Sequence, residues 1–273
     1  NLPFGIAQIG RAYRNEIAPR DFIFRVREFE LMELEYFIRE KDWEQVFEMW
    51  RKEMWRWVER VGIDKKLVTE CECDPENRAH YSKKTIDLEF DYPFGRKELY
   101  GLAYRTDYDL KKHSEGSGTD LSYFDEETKE RFTPHVVEPS MGHGRTMLAV
   151  LISAYTEDEL GGEKRAYLKF NKEVAPVRAA VFPLLKNKPE LVAKAREVYT
   201  MLKQEIPQVM WDDNGNIGKP YRPQDEIGTP YCITIDFDTL GEKPELENTV
   251  TLRDRDTGEQ ERVLVEDLKA RLV

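Results

Sequence analysis

The stretch Phe22-Ile23-Phe24-Arg25-Val26-Arg27-Glu28-Phe29 alternates apolar and charged side chains, the two-residue period of a strand with two different faces, and predicts a strand over 22–37. Residues 4–16 read as a short segment leading into a strand, and Ile17-Ala18-Pro19-Arg20-Asp21 between the two has turn chemistry. Residues 11–37 therefore read as a hairpin with arginines on both arms. From Asp42 to Val61 the period changes: Val46, Trp50, Met54, Trp57 and Val61 recur at three and four, which predicts an amphipathic helix whose tryptophans belong to the core. Strand-like runs follow at 84–92 and 98–104, then a polar surface loop at 113–130. Residues 134–154 read as a strand, a small-residue turn from Pro139 to Gly144, and a helix from Arg145 to Ala154. The charged, glycine-containing segment Thr156 to Arg165 reads as a linker. Beyond it come strands at 177–183, 208–212, 231–237 and 248–253, helices at 189–205 and 265–272, and a helix or turn near 216–222, an alternation that predicts a compact α/β domain.

Length supports the division, because single hydrophobic cores stop growing at around 250 to 300 residues and the chain has 273. No apolar run approaches the roughly 18 residues that span a bilayer, so a soluble protein with no membrane partner is expected. Asn1-Leu2-Pro3-Phe4-Gly5 has neither the basic start nor the apolar run of a signal peptide and no initiating Met, which predicts a chain that begins in mid-domain. Three cysteines, Cys71, Cys73 and Cys232, form an odd set without framework spacing and point to a reducing, cytoplasmic compartment. The net charge of −11 excludes a general nucleic-acid coat, so a polyanionic partner has to be met by local arginine clusters.

Two constellations carry such clusters. The first is Arg14-Asn15-Glu16, then Arg25-Val26-Arg27-Glu28-Phe29 and Glu33. Guanidiniums bind phosphate bidentately and an aromatic face stacks a base, a combination that suits a nucleoside triphosphate. Composition alone favours a solvated charged hairpin; the spacing decides for the ligand. The second is Glu138-Pro139-Ser140-Met141-Gly142-His143-Gly144-Arg145, where glycines allow close backbone approach and a helix start and a guanidinium both favour an anion. Taken alone it reads equally as an ordinary glycine turn with an exposed arginine.

The first spacing resembles motif 2 of the class II aminoacyl-tRNA synthetases: Tyr13-Arg14-Asn15-Glu16, a loop, Arg25 to Phe29, and Glu33. The longer strings Arg14 to Arg20, Arg25 to Phe29 and Met32-Glu33-Leu34-Glu35 look like the glycyl enzymes of that class, and Glu138 to Arg145 is similar to their motif 3. The resemblance implies a catalytic trio of Arg14, Arg25 and Arg145. Arg14 would bind the α-phosphate and the attacking glycine carboxylate, Arg25 and Arg145 the γ-phosphate, Glu16 the adenine amino group, and Phe29 the adenine face. Asn15, Phe24, Val26, Arg27, Glu28, Glu98, Leu99, Gly142, His143 and Gly144 complete the implied ATP site. The glycine pocket implied runs over Phe29, Glu30, Leu31, Met32 and Glu33 and over Glu138, Pro139, Ser140, Met141 and Gly142, with Glu33 receiving the ammonium. Such positioning and charge neutralisation are what in-line displacement at phosphorus needs.

Lys97 to Ala103 and Arg105 to Leu110 match the strand and turn between the two motifs in the glycyl enzymes, and Glu98 with Glu138 would hold Mg2+. Asp107 and Asp109 read equally as turn residues. In the C-terminal half Ala175–Leu184, Gly215–Arg222, Asp225–Tyr231 and Thr251–Thr257 look like the anticodon-binding domain shared by several class II enzymes. Arg253 and Arg255 could reach the anticodon, or could instead form strand-edge salt bridges with Asp254 and Asp256. The implied fold is α+β: a class II antiparallel sheet with flanking helices over 1–160, then a five-stranded mixed α/β anticodon-binding domain over 161–273. The implied activity is glycine activation by ATP and transfer to tRNA(Gly), with a homodimer formed through a motif 1 region expected N-terminal to Asn1. Rival readings are a non-catalytic synthetase-like paralogue, such as a polymerase accessory protein, and a catalytically weak fragment. Cys71-x-Cys73 with His80 lacks zinc spacing, Gly215 to Lys219 lacks P-loop spacing, and His143 has no nucleophile partner.

Overall fold

The computed structural model describes residues 1–213 and 221–272, which fall into two compact units, Asn1–Ser153 and Ala154–Val273. The string Gly215 to Pro220 and most of the helix or turn expected near 216–222 lie outside the described residues.

The first unit is built on strands β1 (Phe4–Tyr13), β2 (Glu28–Ile38), β3 (Val68–Glu72), β4 (Lys84–Tyr92) and β5 (Gly95–Thr106), with helix α1 (Trp43–Arg60) between β2 and β3. Helix α2 (Tyr108–Ser117), the short ribbon β6 (Tyr123–Phe124) and β7 (Arg131–Phe132), strand β8 (His135–Gly142) and helix α3 (His143–Ala154) follow. Six of these strands form one antiparallel sheet in the order β1-β2-β8-β5-β4-β3, the sheet that the resemblance implied.

Alternation sorts the two faces of this sheet. Ile86, Leu88 and Phe90 of β4, Leu99, Tyr100, Leu102 and Tyr104 of β5 and Val137 of β8 bury against Phe47, Met54 and Val58 of α1. Trp43 stacks flat on Tyr104 at 4.5 Å. The opposite face carries Glu33, Ser140, Gly101, Asp87 and Cys71 in one transverse row, set by the registers Glu33↔Ser140, Gly101↔Ser140, Asp87↔Gly101 and Cys71↔Asp87. Polar chemistry is gathered there because the apolar alternates are consumed by the helix side.

Three expectations change. The alternating stretch 22–27 is loop and not strand, with β2 starting at Glu28, because Asp21 (φ 60°) and Phe22 (φ 55°) turn the chain and Phe24 dives into the core. The region 113–130 is partly ordered: α2 buries none of its side chains, so no apolar period betrays it, and a left-handed Gly118 ends it. The Pro139–Gly144 patch is not a turn, because β8 runs to Gly142 and passes directly into α3.

The second unit opens on a hairpin, β9 (Tyr155–Leu160) and β10 (Glu163–Leu168), where a linker was expected and within which the expected boundary at 160/161 falls. Gly161 (φ 62°) and Gly162 (φ 82°) supply the two left-handed residues of a tight turn that matches strand twist. The hairpin reads as linker because its two buried side chains are Arg165, held by Asp158 and Asp225, and Tyr167, which give no apolar run. Strand β11 (Ala179–Pro183), helix α4 (Pro189–Glu205), β12 (Val209–Trp211), helix α5 (Tyr221–Glu226), β13 (Tyr231–Ile235), β14 (Thr249–Asp254), β15 (Gln260–Leu264) and helix α6 (Leu268–Leu272) complete the unit. The mixed sheet runs β12-β11-β13-β14-β15, parallel around β11 and antiparallel beyond β13. Leu191, Ala195, Val198 and Leu202 of α4 bury one face of it against Val181, Ile233, Ile235 and Val250.

Candidate active site

Residues from four segments of the first unit line an open cleft: the β1–β2 loop, β2, β5, and the β8–α3 passage. Arg14, Arg25 and Arg145 all line it, as do Glu16, Phe24, Val26, Phe29, Glu98, Leu99, Gly142 and Gly144. Three guanidiniums drawn from separate stretches thus meet around one void. The backbone extends the β1–β2 pairing past the strand ends, with Arg14 N–H donating to the Arg27 carbonyl at 2.9 Å. That bond sets Arg14 beside Phe29, and the guanidinium carbon lies 5.1 Å from the centre of the ring. Arg145, at the first turn of α3, donates to the Glu98 carbonyl oxygen at 3.0 Å and pairs with its carboxylate at 3.3 Å.

Strand geometry excludes part of the expected set. Met32, Pro139 and Met141 do not line the cleft. Met32 faces Met141 across the β2–β8 pair, and Met141 packs into the core beside α1. Phe29, Glu30 and Leu31 reach the open cleft at the start of β2, whereas Met32, further along the strand, does not. Arg27 donates to the Glu16 carbonyl at 2.9 Å, Glu28 is paired with Arg11, His143 lies 3.3 Å from Glu30, and Asn15 is exposed outside the lining. Of this group only Glu30, with Leu31, reaches the cleft, and Ile23 joins it unexpectedly.

Ser140 lines the cleft and stands opposite Glu33, so the arginine-lined cleft and the acidic face of β2 adjoin at that residue. Glu138 is two residues back on the same face, 7% exposed, and hydrogen-bonded to Arg105, which also donates to Asp109 at 2.7 Å. Burial raises the Glu138 carboxyl above its usual range, opposed by the Arg105 hydrogen bond. The register, with Glu33 opposite Ser140 and Tyr36 opposite Val137, sets Glu35 across from Glu138. Burial first, then the facing Glu138 and the neighbouring Asp109 and Glu33, push Glu35 up to about 7 against the pull of Arg105. Arg105 and Glu35 were not anticipated; the i,i+4 spacing of Arg105 and Asp109 was the available signal.

The expected Mg2+ pair is not formed. Glu138 lies opposite Ala103, five residues along β5 from Glu98, a backbone separation of about 16 Å at the strand rise. Its carboxylate is taken by Arg105 while that of Glu98 is taken by Arg145. Among the described residues no cluster of three metal-binding side chains occurs. Glu98 alone fits a cation that brings most of its ligands as phosphate oxygens and water.

In the second unit Arg253 and Arg255 are 5% and 1% exposed, which removes them as anticodon readers. Arg255 donates to the carbonyls of Gly228 and Phe170 at 2.8 and 2.9 Å and to Asp256 at 2.8 Å, and Arg253 pairs with Asp225. Asp254 instead pairs with Lys172. The strings Asp225–Tyr231 and Thr251–Thr257 therefore meet in a buried ionic node. Cys71 and Cys73 donate to Glu89 and Asp87, and all three cysteines are free.

Residues 1–154 match the family model of the tRNA synthetase class II core domain (G, H, P, S and T), and residues 178–273 match an anticodon binding domain. Curated relatives described as glycine-tRNA ligases include one from Streptomyces coelicolor, 47% identical over 99% of this chain and 59% of its own length. Others come from Thermus thermophilus, 45% identical over 98% of this chain and 57% of the relative, and Lachnospira eligens, 49% identical over 98% and 56%. The chain thus spans somewhat over half the length of the curated relatives it matches.

Proposed function

Since the chain belongs to the class II tRNA synthetase core family through residues 1–154, we propose that it activates glycine with ATP to glycyl-adenylate and pyrophosphate, then transfers the glycyl group to tRNA(Gly). The observation that carries this reading is the meeting of Arg14, Arg25 and Arg145 around one cleft whose lining includes Ser140, the residue opposite Glu33. Arg14 holds the α-phosphate and the attacking carboxylate, Arg25 and Arg145 neutralise the terminal phosphate, Phe29 stacks the adenine and Glu16 accepts from its amino group. Attack of a carboxylate oxygen on phosphorus with departure of pyrophosphate needs no nucleophilic side chain, only aligned reactants and fixed positive charge where negative charge builds. Mg2+ would enter with the triphosphate beside Glu98, supplying further charge neutralisation.

Glycine offers no side chain to grasp, so selection rests on its charged ends and on a niche without room for more. Glu33 takes the ammonium with Ser140 opposite it, and Glu138, whose carboxylate also accepts from Arg105, lines the far side of the pocket. Steric exclusion of an added methyl is effective, whereas rejection of a smaller competitor is limited to about 1–3 kcal/mol per missing methylene; glycine has no smaller competitor.

The anticodon-domain match over 178–273 supports contact with the tRNA anticodon, through groups other than Arg253 and Arg255. A homodimer is part of the same reading, supported by the exposed apolar side chains Ile6, Ile9 and Tyr13 on the edge strand β1. Cytoplasmic residence is supported by the three free thiols, and no helix among the described residues is long and apolar enough to cross a membrane. Glycine-dependent exchange of label between pyrophosphate and ATP tests the activation step. Exchange that is absent, or equally supported by alanine or serine, rejects it.

A further inference from the structure

Within the β1–β2 loop, residues 14–27, Phe24 is the single buried residue. Its ring, 8% exposed, sits edge-on to Tyr92 at 5.0 Å and to Phe94 at 5.3 Å, two rings at the β4–β5 turn. The Arg145 guanidinium carbon lies 4.3 Å from the centre of the same ring. The carbonyl oxygen of Ile23 packs so closely on the start of α3 that a Cβ on Gly144 would meet it at 3.1 Å. Past this point the loop is held by the reciprocal backbone bonds between Arg20 and Arg25, at 3.0 and 3.3 Å.

We propose that Phe24 is a positioning residue that docks the phosphate loop before any nucleotide arrives and orients Arg25 and Arg145 across the cleft from one another. This inference rests on the nucleotide reading above. A loop whose tip carries two consecutive left-handed residues and an exposed Phe22 has few interactions of its own to fix it, so its placement depends on the anchor it buries. Arg25 is the next residue along the chain, and fixing residue 24 fixes the backbone from which that guanidinium projects. Arg145 is steered from the other side: Glu98 holds its edge and the Phe24 ring supports its face. One aromatic ring thereby sets two cations borne on separate elements. Gly144 has room for the loop because it lacks a side chain.

The test combines amide hydrogen exchange over residues 20–27 in the ATP-free full chain with calorimetric titration of ATP in the presence of Mg2+. Wild-type amides in this segment are protected without ATP. Phe24→Ala loses that protection while amides of β2 and β8 keep theirs, and ATP affinity falls at least tenfold. Phe24→Leu keeps the apolar anchor but not the ring face, so protection is retained and affinity drops about threefold, the size of a surface cation–π contact. Phe22→Ala, which alters only the exposed ring at 76% accessibility, matches wild type in both measurements. A Phe24→Ala chain whose segment stays protected overturns the inference, as does a Phe24→Leu chain that binds ATP like wild type. Failure of the wild-type chain to bind ATP would reject the nucleotide reading instead, and the exchange pattern would still decide whether Phe24 docks the loop.

Discussion

Arg253 grips both carboxylate oxygens of Asp225 with hydrogen bonds of 2.8 and 2.9 Å, and Asp225 also accepts from Arg165 at 3.0 Å. All three side chains are buried. Removing Arg253 strips Asp225 of its two-pronged partner and leaves it to Arg165 alone, and breaking a buried pair of this kind costs about 3–5 kcal/mol. Arg253→Ala is therefore expected to lower the denaturant stability of the second unit by that amount, read by urea unfolding. Unchanged stability with weakened tRNA binding would instead mark Arg253 as an anticodon reader.

The convergence of guanidiniums makes a kinetic prediction. Arg14→Ala and Arg145→Ala should each lower glycine-dependent ATP–pyrophosphate exchange about 100-fold or more, the loss seen when one preorganised charge-stabilising donor is removed, with folding intact by circular dichroism. An exchange rate within a few fold of wild type in either variant would remove that arginine from the chemistry.

Glu35 makes a prediction with a defined pH window. Its folded pKa of about 7 lies above the ordinary carboxyl value of 4.5, so the folded state holds a proton that the unfolded chain releases. The stability this provides is complete below about pH 4.5 and is lost as the pH rises through 7. Glu35→Gln, which cannot ionise, should melt at a higher temperature than wild type at pH 8, by about 1 kcal/mol after allowance for the solvent exposure of the site, and at the same temperature at pH 4. A difference independent of pH would show that ionisation is not involved.

Gly228 adopts φ 83°, and a Cβ there would stand 2.4 Å from Cδ2 of Phe170 and 2.8 Å from the Leu168 carbonyl oxygen. Its own carbonyl accepts from Arg255. Gly228→Ala combines left-handed strain with overpacking and should destabilise the second unit by about 3 kcal/mol. Calorimetric melting that matches wild type would mean the β10 side yields without cost.

The helix α1 was legible because its apolar positions recur with one period over eighteen residues, and the strands of the central sheet because burial alternates along them. The stretch 22–27 was misread as strand for the converse reason: its alternation is genuine in sequence, but the inward residue, Phe24, is a single anchor and not one of a strand's row. In β14 the strand was correctly located, but Arg253 was faced outward, while the Arg255–Asp256 pair read as one alternative is present. An alternating pattern gives the period but not the side, and the partner that admits Arg253 to the interior, Asp225, is 28 residues away in α5. Arg105 escaped notice because its partner Glu138 belongs to a strand that only the sheet order brings beside it.

The strand β8 passes into α3 with no intervening loop, and the Thr146 hydroxyl donates back to the Gly142 carbonyl at 2.8 Å to close the junction. Ser140 and Arg145 are consequently two marks, five residues apart, on one stiff ruler, which in the proposed reading runs from the amino acid to the triphosphate. Substitutions that adjust which amino acid fits beside Ser140 will change the seating of the triphosphate at the same time, so specificity and rate in this fold should be inherited together.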